Sequence, residues 1–291
     1  MIAPVVVLIL AVLVGVWATR FSQRAQALLL PSCTALALLA AWHMYSVATE
    51  YELRSTQADG AIETRLIRIF PTPWDTLPAM VELASDGRLA RYAMASLFRV
   101  LSGFALAAFI GIPLGLWAGW RRSVFLAINP LVQGLRPISP LAWIPIAVLS
   151  FGIQDEAAIF IIFLGAFFPI VTGTMTAVQS IPLVYVRSAQ NFGLSGFELF
   201  RRVVFPAALP QIVTSLRIAL GVGWLVVVAA EMNAVNSGLG FLVIDARNMG
   251  NRYDLVVAAM IAIGLIGIGL DWAVRRLERL DEVRWGFRNQ Q

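Results

Sequence analysis

The chain has 291 residues, of which 59% are hydrophobic and 13% charged, and its mean hydropathy is +0.79; a soluble domain of this length is far less apolar, so the sequence reads as an integral membrane protein. The formal charge of +5 arises from 22 basic residues, all arginine, set in short clusters beside apolar runs rather than along one stripe, which fits membrane orientation and argues against nucleic acid. A single cysteine, Cys33, and a single histidine, His43, exclude an internal disulfide and a Cys/His metal centre.

In chain order, seven stretches are long and apolar enough to cross the ~30 Å hydrocarbon core as helices: residues 2–18, 26–48, 94–119, 124–152, 157–178, 208–230 and 255–274. The first has no basic residue ahead of its apolar run and ends on Arg20, the reverse of a secretory signal peptide. The fourth is broken by Pro130, Pro137, Pro140 and Pro145, and is expected to be a kinked helix or a helix with a re-entrant piece. When the spans alternate, Arg20 and Arg24, Arg121 and Arg122, the group Arg187, Arg201 and Arg202, and the tail arginines from Arg275 to Arg288 all fall on one side. That side is the cytoplasm, so the N-terminus is outside and the C-terminus inside. On the outer side, residues 61–92 alternate apolar and charged positions at helical spacing around a Pro-Thr-Pro-Trp break. They read as a surface amphipathic helix anchored by Trp74.

Ionisable residues within the spans are few: His43, Arg99, Arg136, Arg217, Glu231 near an outer end and Asp271 near an inner end. No chain of carboxylates relays protons at mid-depth and no broken helix recurs as a matched pair, which argues against a secondary carrier. Zinc-protease, serine-hydrolase and Walker signatures are absent, so the chain is not expected to be an enzyme. Gly103, Gly111, Gly115 and Gly119 form a small-residue face for close helix packing, within the subunit or at a seam between copies. His43 reads as a packing residue with its hydrogen bonds satisfied. Glu231, Asn233 and Asn236, ahead of Gly238 and Gly240, read as a helix terminus or as an outer gate and contact point.

Between the fifth and sixth spans lies "RSAQNFGLSGFELFRRVVFP", with Ala189, Gly193, Val203, Phe205 and Pro206 in the pattern A-x3-G-x9-V-x-F-P. A short helix, a turn that glycine permits and a second helix ended by proline would form a rigid cytoplasmic knob, with small residues on its first helix for close approach of a partner. The pattern resembles the coupling-loop motif, EAA-x3-G-x9-I-x-LP, of the membrane subunits of binding-protein-dependent ABC importers. Arg187 stands where that motif has glutamate and Phe205 where it has leucine. The likeness continues through "FPTPWDTLPAM" (70–80), "SLFRVLSGFALAAFIGIPLGLWAGW" (96–120), "LRPISPLAWIPIAVLSFGI" (135–153) and "LRIALGVGWLVVVAAEMNAVNSGLGFLV" (216–243). These stretches look like the nitrate, sulfonate, taurine and bicarbonate branch of the family.

The resemblance implies an all-α membrane fold of the type I importer class with about seven spans. Residues 1–65 would add N-terminal helices and an outer linker to an importer core at 66–291, whose coupling loop spans 183–206. It implies a permease subunit in the bacterial inner membrane that acts with a second copy of itself, two ATPase subunits and a periplasmic or lipid-anchored solute-binding protein. ATP and magnesium would be held on the ATPase and no cofactor or metal on this chain. Coupling is expected at Arg187, Ser188, Ala189, Gly193, Leu194, Ser195, Phe197 and Pro206. Arg136, Trp143, Trp224 and Met232 are candidates for the pathway, and Glu231, Asn233 and Asn236 for the outer gate or binding-protein contact. Arg136 also has a structural reading, as a donor to carbonyls freed by the neighbouring prolines or to a helix C-terminus. A small anion is the expected solute, sulfonate or taurine ahead of nitrate or bicarbonate on the character of "AAEMNAVNSGLGFLV". The alternatives are a neutral or cationic organic solute such as a pyrimidine vitamin precursor, or a channel or carrier that needs no motor.

Overall fold

The computed structural model describes residues 23–56, 62–68, 70–250 and 252–277; the expected first span, residues 2–18, and the tail arginines beyond Arg276 lie outside the described residues. Among the described residues, five helices are long and apolar enough to cross a membrane, and a sixth span arises if one sharply bent pair counts as a unit. These match the six spans expected between residues 26 and 274.

Helix α1 runs Gln23–Ala48 and is followed by an antiparallel hairpin of β1 (Glu50–Thr56) and β2 (Ile62–Arg68), in which Glu50 faces Arg68 and Leu53 faces Arg65. The hairpin corrects the expectation of helix from residue 61 onward. Tyr51 and Leu53 alternate with Glu50, Glu52 and Arg54, a period of two that suits a strand, and Asp59-Gly60 between the two runs is a hairpin signal. The amphipathic helix is confined to α2, Pro73–Ser85. Its start is fixed by a capping box: Asp75 N–H donates to Thr72 Oγ1 (3.2 Å), Thr72 N–H donates to Asp75 Oδ2 (2.9 Å), and Pro73 occupies the first turn where no N–H is needed. Trp42 Nε1 donates to Pro71 O (2.9 Å) and Ser46 Oγ to Phe70 O (2.5 Å), so α1 holds the segment that leads into α2.

Helix α3 (Arg88–Trp120) is followed by α4 (Arg122–Leu135), a 3-10 turn at Pro140–Trp143 and α5 (Ile144–Phe151), the last three making the bent pair with an angle of 84°. Helix α6 (Asp155–Gln179), α7 (Leu183–Asn191) and α8 (Gly196–Leu199) come next. A π turn at Phe200–Val204 leads into α9 (Phe205–Ala234), before α10 (Leu239–Asn248) and α11 (Tyr253–Leu277).

The chain divides into two compact units, one drawn from Met1–Arg88 and Val243–Ile261, the other from Leu89–Leu242 and Ala262–Gln291. In the first, Arg252 bridges Glu82 (2.6 Å) and Asp254 (3.1 Å), and hydrogen bonds to these carboxylates raise its pKa further. The same unit holds an apolar groove of about 660 Å³ lined by residues that include Leu36, Leu39, Trp42, His43, Trp74 and Met80. His43 Nδ1 is buried there without a hydrogen-bond partner among the described residues, contrary to the expectation of a satisfied histidine.

In the second unit the glycine face of α3 lies against α6. A Cβ on Gly103 would come within 2.8 Å of Ile162, and one on Gly115 or Gly119 within 2.7 Å of Thr174 or Val178. The small-residue face is therefore spent inside the subunit, where it lets two backbones approach closely. Val100, Ile161, Ile162, Val227 and Ala230, all fully buried, form the centre of this packing.

Candidate functional site

The loop that joins α6 to α9 is an ordered knob. Helix α7 ends in a Schellman motif: Leu194 N–H donates to Ala189 O (3.1 Å) and Gly193 N–H to Gln190 O (2.9 Å), with Gly193 in the left-handed region at φ +84°. A Cβ at Gly193 would meet nothing within 4 Å, so glycine is required by the backbone angle and not by crowding within the chain. Ala189 is buried and its carbonyl closes the motif, which corrects its reading as a surface residue for partner approach. Arg187, Ser188 and Ser195 are exposed and Leu194 is half-buried.

Pro206 does not end a helix. The chain runs as one helical span from Gly196 to Ala234, and the π turn before Pro206 makes this possible. Phe205 N–H donates to Phe200 O, five residues back, so the turn is already widened where proline removes a donor. The knob is rooted in the bundle: Phe197 stacks on Phe200 (6.5 Å between centroids), Phe200 meets Trp120 edge-on (5.8 Å), and Val204 packs with Ala177, Val178, Ala208 and Ile212. Above that root it presents apolar surface. Phe192 is 87% exposed and Phe197 75%, with Leu183, Val184 and Tyr185 also open.

Arg136 caps the C-terminal end of α4, at the corner of the bent pair. It is exposed, and its guanidinium makes no hydrogen bond or ion pair among the described residues. The structural reading, a donor to carbonyls freed by Pro137 and Pro140 or to a helix C-terminus, is thus not what the described residues contain. Trp143 closes the 3-10 turn and is half-buried, as is Met232 on α9. Trp224 is buried; its Nε1 donates to Ile263 O (3.3 Å), which makes it a packing residue and removes it from the pathway candidates.

The most constrained polar group was missed as a unit by the sequence. Arg99 on α3 and Glu231 on α9 are 1% and 0% exposed and form an ion pair of 2.6 Å. Arg99 uses all five of its N–H groups: Nη1 on Glu231 Oε1 and on Ser237 O (2.8 Å), Nε (2.9 Å) and Nη2 (2.7 Å) on Asp155 Oδ1, and Nη2 again on Ser237 Oγ. Glu231 Oε2 accepts from Ser96 Oγ and from Gly240 N–H, both at 2.9 Å, while Ser96 Oγ accepts from Leu239 N–H (2.9 Å). The first amides of α10, which a helix leaves unpaired, are thereby capped from α3 and α9. Gly238 packs directly on the Glu231 carboxylate, with no space for a Cβ. Glu231 is therefore interior, which corrects its reading as a surface contact; Asn233 and Asn236 are exposed. Both charges were visible as rare ionisable residues in spans, but 132 residues separate them and no spacing rule joins them. Toward the other end of α9, Arg217 pairs with Asp271 on α11 (2.9 Å), which also accepts from Arg275 (2.8 Å).

Residues 111–280 match the model of the binding-protein-dependent transport system inner membrane component family. The chain belongs to that family. It is 36% identical over 273 residues, 93% of both chains, to the bicarbonate transport system permease protein CmpB of Synechococcus elongatus. It is 40% identical over 209 residues, 71% of this chain and 75% of the relative, to the nitrate import permease protein NrtB of Leptolyngbya laminosa. A putative ABC transporter permease of Methanocaldococcus jannaschii is 44% identical over 197 residues, 67% of this chain and 73% of the relative. Among solved structures, the MetNI methionine ABC transporter in an inward-facing conformation matches with a TM-score of 0.55 at 20% identity, covering 64% of this chain and 92% of that one, a likeness of fold.

The permease is thus a membrane transport subunit of an ABC importer and not an enzyme. Its family works with a solute-binding protein and an ATPase. In the permease the groups expected to do chemistry turn out to divide into an apolar knob, an exposed arginine at a bend and a sealed ionic network.

Proposed function

We propose that the permease forms, as a pair of copies, the membrane pathway of an importer for a small oxyanion, and that two ATPase subunits drive it through the knob at residues 183–206. The observation that carries the coupling reading is the rooted knob itself. Phe192 and Phe197 expose apolar rings on a segment held by a closed Schellman motif and by packing into α3, α6 and α9. Apolar surface of this kind on an ordered segment fits a partner groove, and a rigid root passes the partner's motion into three spans. Arg187, Ser188, Gly193, Leu194, Ser195 and Phe197 are assigned to that contact, with Ala189 and Pro206 shaping it from within. ATP and magnesium belong to the partner.

For the solute, the relatives named for bicarbonate and nitrate support a small inorganic oxyanion ahead of a sulfonate or taurine. The expectation of a sulfonate rests on residues 229–243, and Glu231, Ser237, Leu239 and Gly240 of that stretch are spent on internal hydrogen bonds. Arg136 supplies positive charge to the pathway: broken helix within a membrane is stable only where it is buried or lines a cavity, and a guanidinium there needs an anion or water. Trp143 and Met232 lie with it in this reading, while Asn233 and Asn236 face the binding protein.

The test is uptake into proteoliposomes that hold the permease with its ATPase and binding protein. Saturable, ATP-dependent uptake of labelled nitrate or bicarbonate is expected. Uptake of taurine alone, or of a cationic or neutral solute alone, would overturn the oxyanion assignment.

A further inference from the structure

We infer that Ser96, Arg99 and Glu231 are positioning residues that keep the ends of α3, α6 and α9 clasped to the first turn of α10 at every stage of transport, so that the transport motion takes place elsewhere. This rests on the reading of the chain as an importer permease.

The inference follows from how completely the network is closed. Arg99 has no unused N–H, both Glu231 oxygens accept, and both residues are essentially inaccessible. Opening it would leave a buried guanidinium, a buried carboxylate and two helix-terminal amides without their present partners. A hinge or gate is drawn from the weakly held part of a structure, and this is the reverse. The elements joined are far apart in sequence: Ser96 and Arg99 on α3, Asp155 at the start of α6, Glu231 on α9, and Ser237, Leu239 and Gly240 around the start of α10. The accessible members lie at the rim: the Asp155 side chain is 51% accessible and Ser237 is half-buried, while Ser96, Arg99, Glu231, Leu239 and Gly240 are buried.

Two measurements on the full transporter decide it. Ser96→Cys with Leu239→Cys, in a Cys33→Ser background, puts a thiol on each of the two residues joined by the 2.9 Å hydrogen bond from the Leu239 amide to Ser96 Oγ, for oxidation to a disulfide. ATP-driven uptake is expected to stay within about twofold of the unmodified complex after oxidation. Loss of uptake on oxidation that reduction restores would show that the clasp must open. Independently of disulfide formation, Ser96→Cys alone is exposed to a membrane-impermeant maleimide in the nucleotide-free, ATP-trapped and binding-protein-bound states. Labelling below about a tenth of the denatured rate in all three is expected; labelling that rises in any one state overturns the inference. An unmodified complex that fails to transport would instead count against the importer reading.

Discussion

Gly193 offers the sharpest separation between the shape of the knob and its contact with a partner. Its φ of +84° is a conformation that costs an L-residue roughly 1–2 kcal/mol. At ~1.4 kcal/mol per factor of ten, Gly193→Ala shifts the equilibrium of the closed turn by roughly 5- to 30-fold. Nothing in the chain lies within 4 Å of the new Cβ, so backbone strain is the whole intramolecular cost. Gly193→Trp carries the same strain, and its additional effect comes from whatever surface closes over the knob. The assay is ATPase activity of the reconstituted complex with and without loaded binding protein. Gly193→Asn, which tolerates the left-handed region, is expected to retain most of the stimulation and Gly193→Ala to lose part of it. Gly193→Trp should lose at least about tenfold more than alanine while basal ATPase persists. Equal stimulation in the alanine and tryptophan variants would refute the contact, because strain alone then explains both.

Further outcomes follow from the same geometry. Arg99→Met and Glu231→Met should each destabilise the purified complex by ~3–5 kcal/mol, as expected when one partner of a buried pair is removed. The double variant should cost less than the sum, and additivity within ~0.5 kcal/mol in thermal unfolding would contradict a coupled pair. Arg136→Gln should leave assembly intact, because its guanidinium has no partner among the described residues, and should reduce anion uptake several-fold. Normal uptake would remove Arg136 from the pathway. Gly115→Val should prevent stable assembly, since even a Cβ there falls 2.7 Å from Thr174 and 2.8 Å from a backbone carbonyl; wild-type yield would mean that α3 and α6 separate more easily than their packing implies.

The spans between residues 26 and 274 were legible because apolar length is a local property, which survives without tertiary information. The turn at Gly193 was legible for the same reason, since a left-handed residue leaves its mark on a single position. Pro206 was misread because the rule that proline ends helices omits the π turn that can precede it. The hairpin was missed because a short run such as Ile62–Arg68 carries both helical and strand periodicity. The pairing of Arg99 with Glu231 is set by folding alone. Once it is known, the composition of "NSGLG" acquires a reason: Ser237 accepts from Arg99, Gly238 makes room for Glu231, and Leu239 and Gly240 donate from the start of α10.

The central claim is that this chain moves solute only when another subunit hydrolyses ATP. Proteoliposomes containing the permease alone, and matched ones with ATPase and binding protein, compared for labelled nitrate or bicarbonate uptake, test it most directly. The account predicts uptake in the full complex that stops when ATP is withheld, and none through the permease alone. Uptake by the isolated permease driven by an ion or solute gradient would contradict it.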